Sequence, residues 1–133
     1  MSPSERLAEA IQRAGQYGKE VEYKQDNEQF TRDNLMKLHT KLTTKAKKIM
    51  KQKNDDYTNK DLENPFSNFK ACEEFGVCGT GTGFLVRMLD KFKRILTFKE
   101  NGKLSVDNEG LEDAIIDLIN YLILFYGWVK SKE

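Results

Sequence analysis

Three polar residues, Asp113, Asp117 and Asn120, interrupt a segment otherwise made of Leu, Ile, Ala, Phe and Tyr. Their steps of four and three put them on one strip about 60° wide on a helix. Burying two carboxylates without partners costs several kcal/mol or forces them to protonate. The strip therefore demands a cation, basic side chains or water. A hard divalent ion such as Mg²⁺ or Mn²⁺ suits carboxylate oxygens. Asp90, next to Lys91 and near Arg94, is predicted to face the strip. Asp90, Asp113 and Asp117 are then the candidate metal ligands and catalytic residues, with Lys91 and Arg94 set to offset phosphate charge. The same residues allow a plainer account. Glu112 and Asp113 open a helix, where acids suit the dipole and the face is simply wet. Asp90 and Arg94 could be an i,i+4 surface pair.

Five helical stretches must position these residues, and no strand alternation competes with them. The first runs from about Ser4 to Tyr17, with Ser2 and Glu5 at capping-box spacing and a stripe of Leu7, Ala10, Ile11 and Ala14. The second runs from about Thr31 to Lys53, its apolar face marked by Leu35, Leu38, Leu42, Ala46 and Ile49. Arg32 and lysines 37, 41, 45, 47, 48, 51 and 53 stand against Asp33 alone, which leaves the rest of the chain net acidic. Residues 54–64 read as a polar loop. Asn64 and Pro65 look like an N-cap and first helical residue for a third helix ending near Phe75 and Gly76. Gly79 to Gly83 lead into the fourth, about Thr82 to Lys99, closed by Asn101 and Gly102. The fifth, about Glu109 to Lys130 with Asp107 or Asn108 as cap, is apolar almost all round, the pattern of a central helix.

The chain has 133 residues, 38% hydrophobic and 32% charged, with 22 basic and 21 acidic side chains. That length suits a single helical domain, 1–133, in which 1–30 form an N-terminal helix with a polar extension. Such a charged composition supports only thin apolar stripes. The apolar excess of the fifth helix outruns what four neighbours can cover, so a homodimer or higher oligomer packed through the fifth helix or the first is expected. His39 is the only histidine, which excludes zinc sites built on two or three histidines within one chain. Cys72 and Cys78, six apart, match no CxxC pair or disulfide framework, and read as two reduced thiols. The N-terminus has no apolar signal region. The stretch from Ala114 to Val129 is shorter than the roughly 20 apolar residues of a membrane span. A cytoplasmic protein without a membrane contact is the expectation.

The order Lys53-Asn54-Asp55-Asp56-Tyr57, Asn64-Pro65-Phe66-Ser67-Asn68-Phe69-Lys70, Gly83 through Arg94 and Glu109 through Tyr121 resembles the phage-associated family called nucleotide modification associated domain 1. The resemblance covers about residues 31 to 130 and implies a role in phage nucleotide metabolism or DNA modification. The Asp113–Tyr121 segment is also similar to the carboxylate helix of all-α NTP pyrophosphatases of the MazG-like kind. Those enzymes set a Glu-x-x-Glu helix against a Glu-x-x-Asp helix around magnesium. Here Glu73-Glu74 stands for the first motif and Asp-x-x-x-Asp for the second, a departure that weighs on catalysis more than on nucleotide binding.

The expected function is nucleotide binding between the fourth and fifth helices. Lys53, Lys91 and Arg94 would meet phosphate, and Asn54, Asp56, Tyr57 and Asn120 the base or sugar. Three functional classes follow. The first is a Mg²⁺-dependent nucleoside triphosphate pyrophosphohydrolase, in which a metal-polarised water attacks between the α- and β-phosphates. The second is a non-catalytic sponge for a cyclic nucleotide immune signal. The third is a nucleic-acid-binding accessory protein using the lysines of the second helix, although no aromatics interleave with them. Gly79 to Gly83 lacks the Lys-Ser/Thr of a P-loop and reads as a connection.

Overall fold

The structure is a computed structural model. It describes residues 1–17, 29–57, 65–103 and 110–133, without the side chains of 14–17, 56 and 57. Five helices follow in order: α1 (Pro3–Tyr17), α2 (Arg32–Tyr57), α3 (Ser67–Glu74), α4 (Thr80–Asn101) and α5 (Leu111–Lys130). The fold is all-α, a bundle in which α5 packs along α4 and against α2 while α3 covers α4. No strand occurs among the described residues.

Local chemistry sets most of the helix ends. The Ser2 hydroxyl accepts from the Glu5 amide at 3.1 Å, and the Glu5 carboxylate accepts from the Ser2 amide at 2.6 Å, the expected capping box. Hydrogen bonding from the Ser2 amide, and then from its hydroxyl, holds the Glu5 carboxyl below its ordinary range. Gly76 (φ +73°) turns the chain out of α3 and Gly102 (φ +73°) ends α4, both in the left-handed region where a side chain is strained.

Four boundaries differ from the sequence reading. Helix α2 continues through residues 54–57, because Asn54 and the acidic pair after it lack any residue that breaks a helix. Helix α3 starts after a Pro65–Phe66 turn, with Phe66 at the N-cap position. Asn64, the expected cap, lies outside the described residues, as do Asp107, Asn108 and Glu109. Helix α5 begins at Leu111 with Gly110 at the N-cap position, and the Gly110 amide donates to Asp113 Oδ2 at 3.3 Å. Helix α4 takes in Gly81 and Gly83, so the glycine segment is helix and not a loop.

The two interior glycines of α4 mark close approaches. A Cβ on Gly83 would stand 2.7 Å from Cys72 Sγ, and one on Gly81 3.3 Å from the Trp128 ring. Helices α3 and α5 can therefore lie tight on α4. The core between them is aromatic: Phe69 stacks on Phe84 (centroids 4.1 Å, 13° between planes), and Phe84 meets Phe125 and Trp128 at 5.8 and 5.9 Å. Among the described residues the fully buried apolar side chains are few: Ala46, Phe69, Phe84, Ala114 and Ile116. Residues 1–13 of the α1 arm and 31–41 of α2 are exposed throughout.

Candidate functional site

Helix α5 presents the polar strip to two neighbours at once. Helix α4 runs antiparallel to it: Phe84 pairs with Phe125 at one end and Lys91 with Asp117 further along. Helix α2 crosses it, joined by the Asn120 amide donating to the Ala46 carbonyl at 3.0 Å and by a Lys45–Glu112 pair at 3.7 Å. Asp117 sits where the three helices meet. One of its oxygens lies 3.2 Å from Lys53 Nζ of α2 and the other 3.1 Å from Lys91 Nζ of α4. The Asp117 and Lys91 side chains are only 18% and 16% exposed, and that of Lys53 47%. Basic side chains thus answer the demand that the buried carboxylate makes, and they come from two different elements.

A second strip faces it. Arg87, Lys91 and Arg94 recur on α4 at steps of four and three, the spacing that gathers the acids on α5. Lys91 and Arg94, with Lys53, line a hollow of about 190 Å³ whose other walls are Asp113, Asp117 and the N-terminal turn of α5. The cations lining it outnumber the carboxylates, and the helix N-terminus adds further positive potential. Beyond Asp117 a smaller cavity of about 40 Å³ opens toward α3. Asn54, Asn68, Arg87, Asn120 and Tyr121 line it, with Phe69. The Arg87 guanidinium lies over the Phe69 ring, 4.7 Å from its centroid, and Tyr121 meets that ring edge-on at 6.2 Å. Asn54 Nδ2 donates to the Pro65 carbonyl at 2.9 Å and ties the end of α2 to the start of the α3 turn.

Asn120 is 6% exposed, and with its amide nitrogen spent on Ala46 its buried carbonyl oxygen has no donor among the described residues. Arg87, Asn68 and Tyr121 escaped the sequence reading of the site. Only Arg87 had a signal, its register with Lys91 and Arg94.

Of the three predicted carboxylates, Asp113 and Asp117 border the same hollow and Asp90 does not. Asp117 is engaged on both oxygens by ammonium groups. Asp113 is exposed and reaches back to the Gly110 amide. Asp90 is 63% exposed and pairs with Arg94 Nε at 3.7 Å; one residue before Lys91, it points about 100° away from that side chain. No group of three His, Cys, Asp or Glu able to hold a metal forms among the described residues. As arranged, this donor set does not fit a resident magnesium ion. Glu73 accepts from the buried Thr80 hydroxyl at 2.9 Å. Thr80 precedes Lys91 by eleven residues, or ~16 Å of helix, so Glu73 and Glu74 lie far from Asp117. The side chains of Asp56 and Tyr57 are outside the described residues. Of the lysine face of α2, Lys37 pairs with Asp33 at 3.1 Å and Lys45 with Glu112. No helix is long and apolar enough to cross a membrane among the described residues.

No family model, no curated protein and no solved structure matches this chain.

Proposed function

We propose that the protein binds a phosphate-bearing nucleotide where α2, α4 and α5 meet, and that binding needs no metal of its own. The observation that carries this reading is the hollow lined by Lys53, Lys91 and Arg94 beside the α5 N-terminus. Lys53 and Lys91 come from separate helices and are fixed through Asp117, while Arg94 is paired with Asp90, so little order is lost when an anion arrives. A phosphate fits its size, and charge-assisted bonds to guanidinium and ammonium groups are the strong ones. The base or sugar extends past Asp117 toward Tyr121, Phe69 and the amides of Asn54, Asn68 and Asn120. That cavity must widen to admit a base.

Magnesium enters as the counter-ion that a polyphosphate brings with it. Capture without turnover, as of a signalling nucleotide in a phage-infected cell, is favoured over pyrophosphate release because the carboxylates do not assemble around one point. The protein acts in this reading as a homo-oligomer in the cytoplasm. Calorimetry with mono-, di-, tri- and cyclic nucleotides, in Mg²⁺ and in EDTA, is the test. Binding that survives EDTA and varies with phosphate number supports capture. Pyrophosphate release from a (d)NTP panel establishes the hydrolase instead. Failure of every nucleotide to bind a folded, helical protein removes the reading.

A further inference from the structure

Exposed large apolar side chains occur on α1, on the first half of α2 and after α3, and a further group gathers on α4 and α5. On α4, Leu85, Val86, Leu89 and Phe92 are 57–60% exposed. On α5, Leu122, Ile123 and Tyr126 are 52–65% exposed. Helical phase places all of these except Val86 on one side of the α4–α5 pair. Going round α4, Gly83 and Arg87 touch α3 through Cys72 and Phe69, Phe84 sits between α3 and α5, and Gly81 touches α5 through Trp128. Leu85, Leu89 and Phe92 come next, past the α5 contact and away from α3. Going round α5, Tyr121 touches α3, Phe125 touches α4, and Leu122 and Tyr126 follow, again away from α3. The two antiparallel helices therefore form a layer covered on one face by α3 and bare on the other. The bare face continues toward α2 through a hollow of about 350 Å³ walled by Met50, Ile119 and Ile123.

The amount of surface says what this layer lacks. The chain exposes 10836 Å². A compact monomer of its mass exposes about 7,200 Å². The α1 arm and the first half of α2 account for part of the difference. The six side chains of the face alone present on the order of 700 Å², above the few hundred of a typical monomer's largest apolar patch and close to one partner's share of a standard interface. A helix layer with one bare apolar face is completed by another such layer. A two-fold copy supplies one automatically, since the same patch on both copies meets itself.

We infer that a second copy of this chain covers the α4–α5 face, so that the two helix pairs stack into a four-helix layer across a two-fold axis. The site proposed above opens on α2 and the other flank of α4, and the inference does not rest on it. Its test is the mass of the full chain in solution, by sedimentation or light scattering at high micromolar concentration. Leu89→Glu and Tyr126→Glu each place a charge on the face, while Leu7→Glu on α1 is the control. These side chains are largely exposed, so helicity by circular dichroism should hold in each variant, and Phe92→Lys replaces any variant that loses it. The wild type is expected at twice the chain mass or a higher even multiple, with the face variants falling to the next smaller species and the control unchanged. A monomeric wild type overturns the inference. So does a mass that ignores the face variants, or one that responds to Leu7→Glu instead.

Discussion

Asp117 Oδ2 and Lys91 Nζ lie 3.1 Å apart, both side chains more than four-fifths covered, and the second oxygen of the same carboxylate holds Lys53 from a helix 64 residues earlier. One carboxylate thus ties three helices together. Its partners differ in worth. Exposed ion pairs contribute little because water screens them, whereas removing one member of a covered pair leaves the other charge uncompensated.

Asp117→Asn should therefore destabilise the fold by about 1–3 kcal/mol. In double-mutant cycles by urea unfolding, the Asp117–Lys91 pair should couple by about 1–2 kcal/mol and the more exposed Asp117–Lys53 pair by less than about 1. Equal couplings would show that burial does not separate the two lysines.

For ligand binding, Arg94→Ala should weaken the nucleotide by about tenfold, the effect of roughly 1.4 kcal/mol. Asp90→Asn should leave affinity within about twofold, because Asp90 borders no part of the hollow. Calorimetry reads both. A larger loss with Asp90→Asn than with Arg94→Ala would return Asp90 to the site.

The buried Asn120 carbonyl oxygen has no donor among the described residues, so the side chain is only half satisfied. Asn120→Leu should change stability by no more than about 1 kcal/mol in either direction, since it removes an orphaned acceptor together with one hydrogen bond. Asn120→Asp should cost about 2 kcal/mol or more, by burying a charge beside the Ala46 carbonyl. A heavy cost for Leu would mean that the oxygen is satisfied after all.

Gly83→Ala sets a helix-favouring residue against a Cβ placed 2.7 Å from Cys72 Sγ. The propensity gain is about 1 kcal/mol, and overpacking costs about 1–3 kcal/mol. A net loss is expected, relieved when Cys72→Ala is added. Thermal melts of the single and double variants decide it, and an unrelieved loss would place the strain elsewhere.

Donation of the Cys78 S–H to the Cys72 sulfur favours the protonated form and raises the Cys78 thiol above its ordinary range. A raised value means less thiolate at any given pH, and the thiolate is the reactive form. Alkylation of Cys78 in the folded protein should be slower than in the urea-unfolded chain near pH 8, with the gap closing as pH rises. Cys72→Ala should speed it. Equal rates in folded and unfolded protein would contradict the interaction.

Much of this protein is local, and the local part was legible in the amino-acid order. The periods of Leu and Ile gave five helices, the glycines at 76 and 102 gave two of their ends, and the polar strip on a greasy α5 required partners. Each of these depends on residues within a few positions, where steric and hydrogen-bond preferences act directly. Which groups would answer Asp117 was not local. Lys91 replaced its neighbour Asp90 because one residue is 100° of helix, and Lys53 arrived because α2 runs on past residue 53 and crosses α5 there. Chain order does not fix a crossing. The α2 crossing follows from the contact of Ala46 with Asn120, and the seating of α5 on α4 from Gly81 and from the packing of Phe84 and Phe125. Only tertiary structure could turn a strip of acids into a carboxylate held by two ammonium groups, with a hollow beside it.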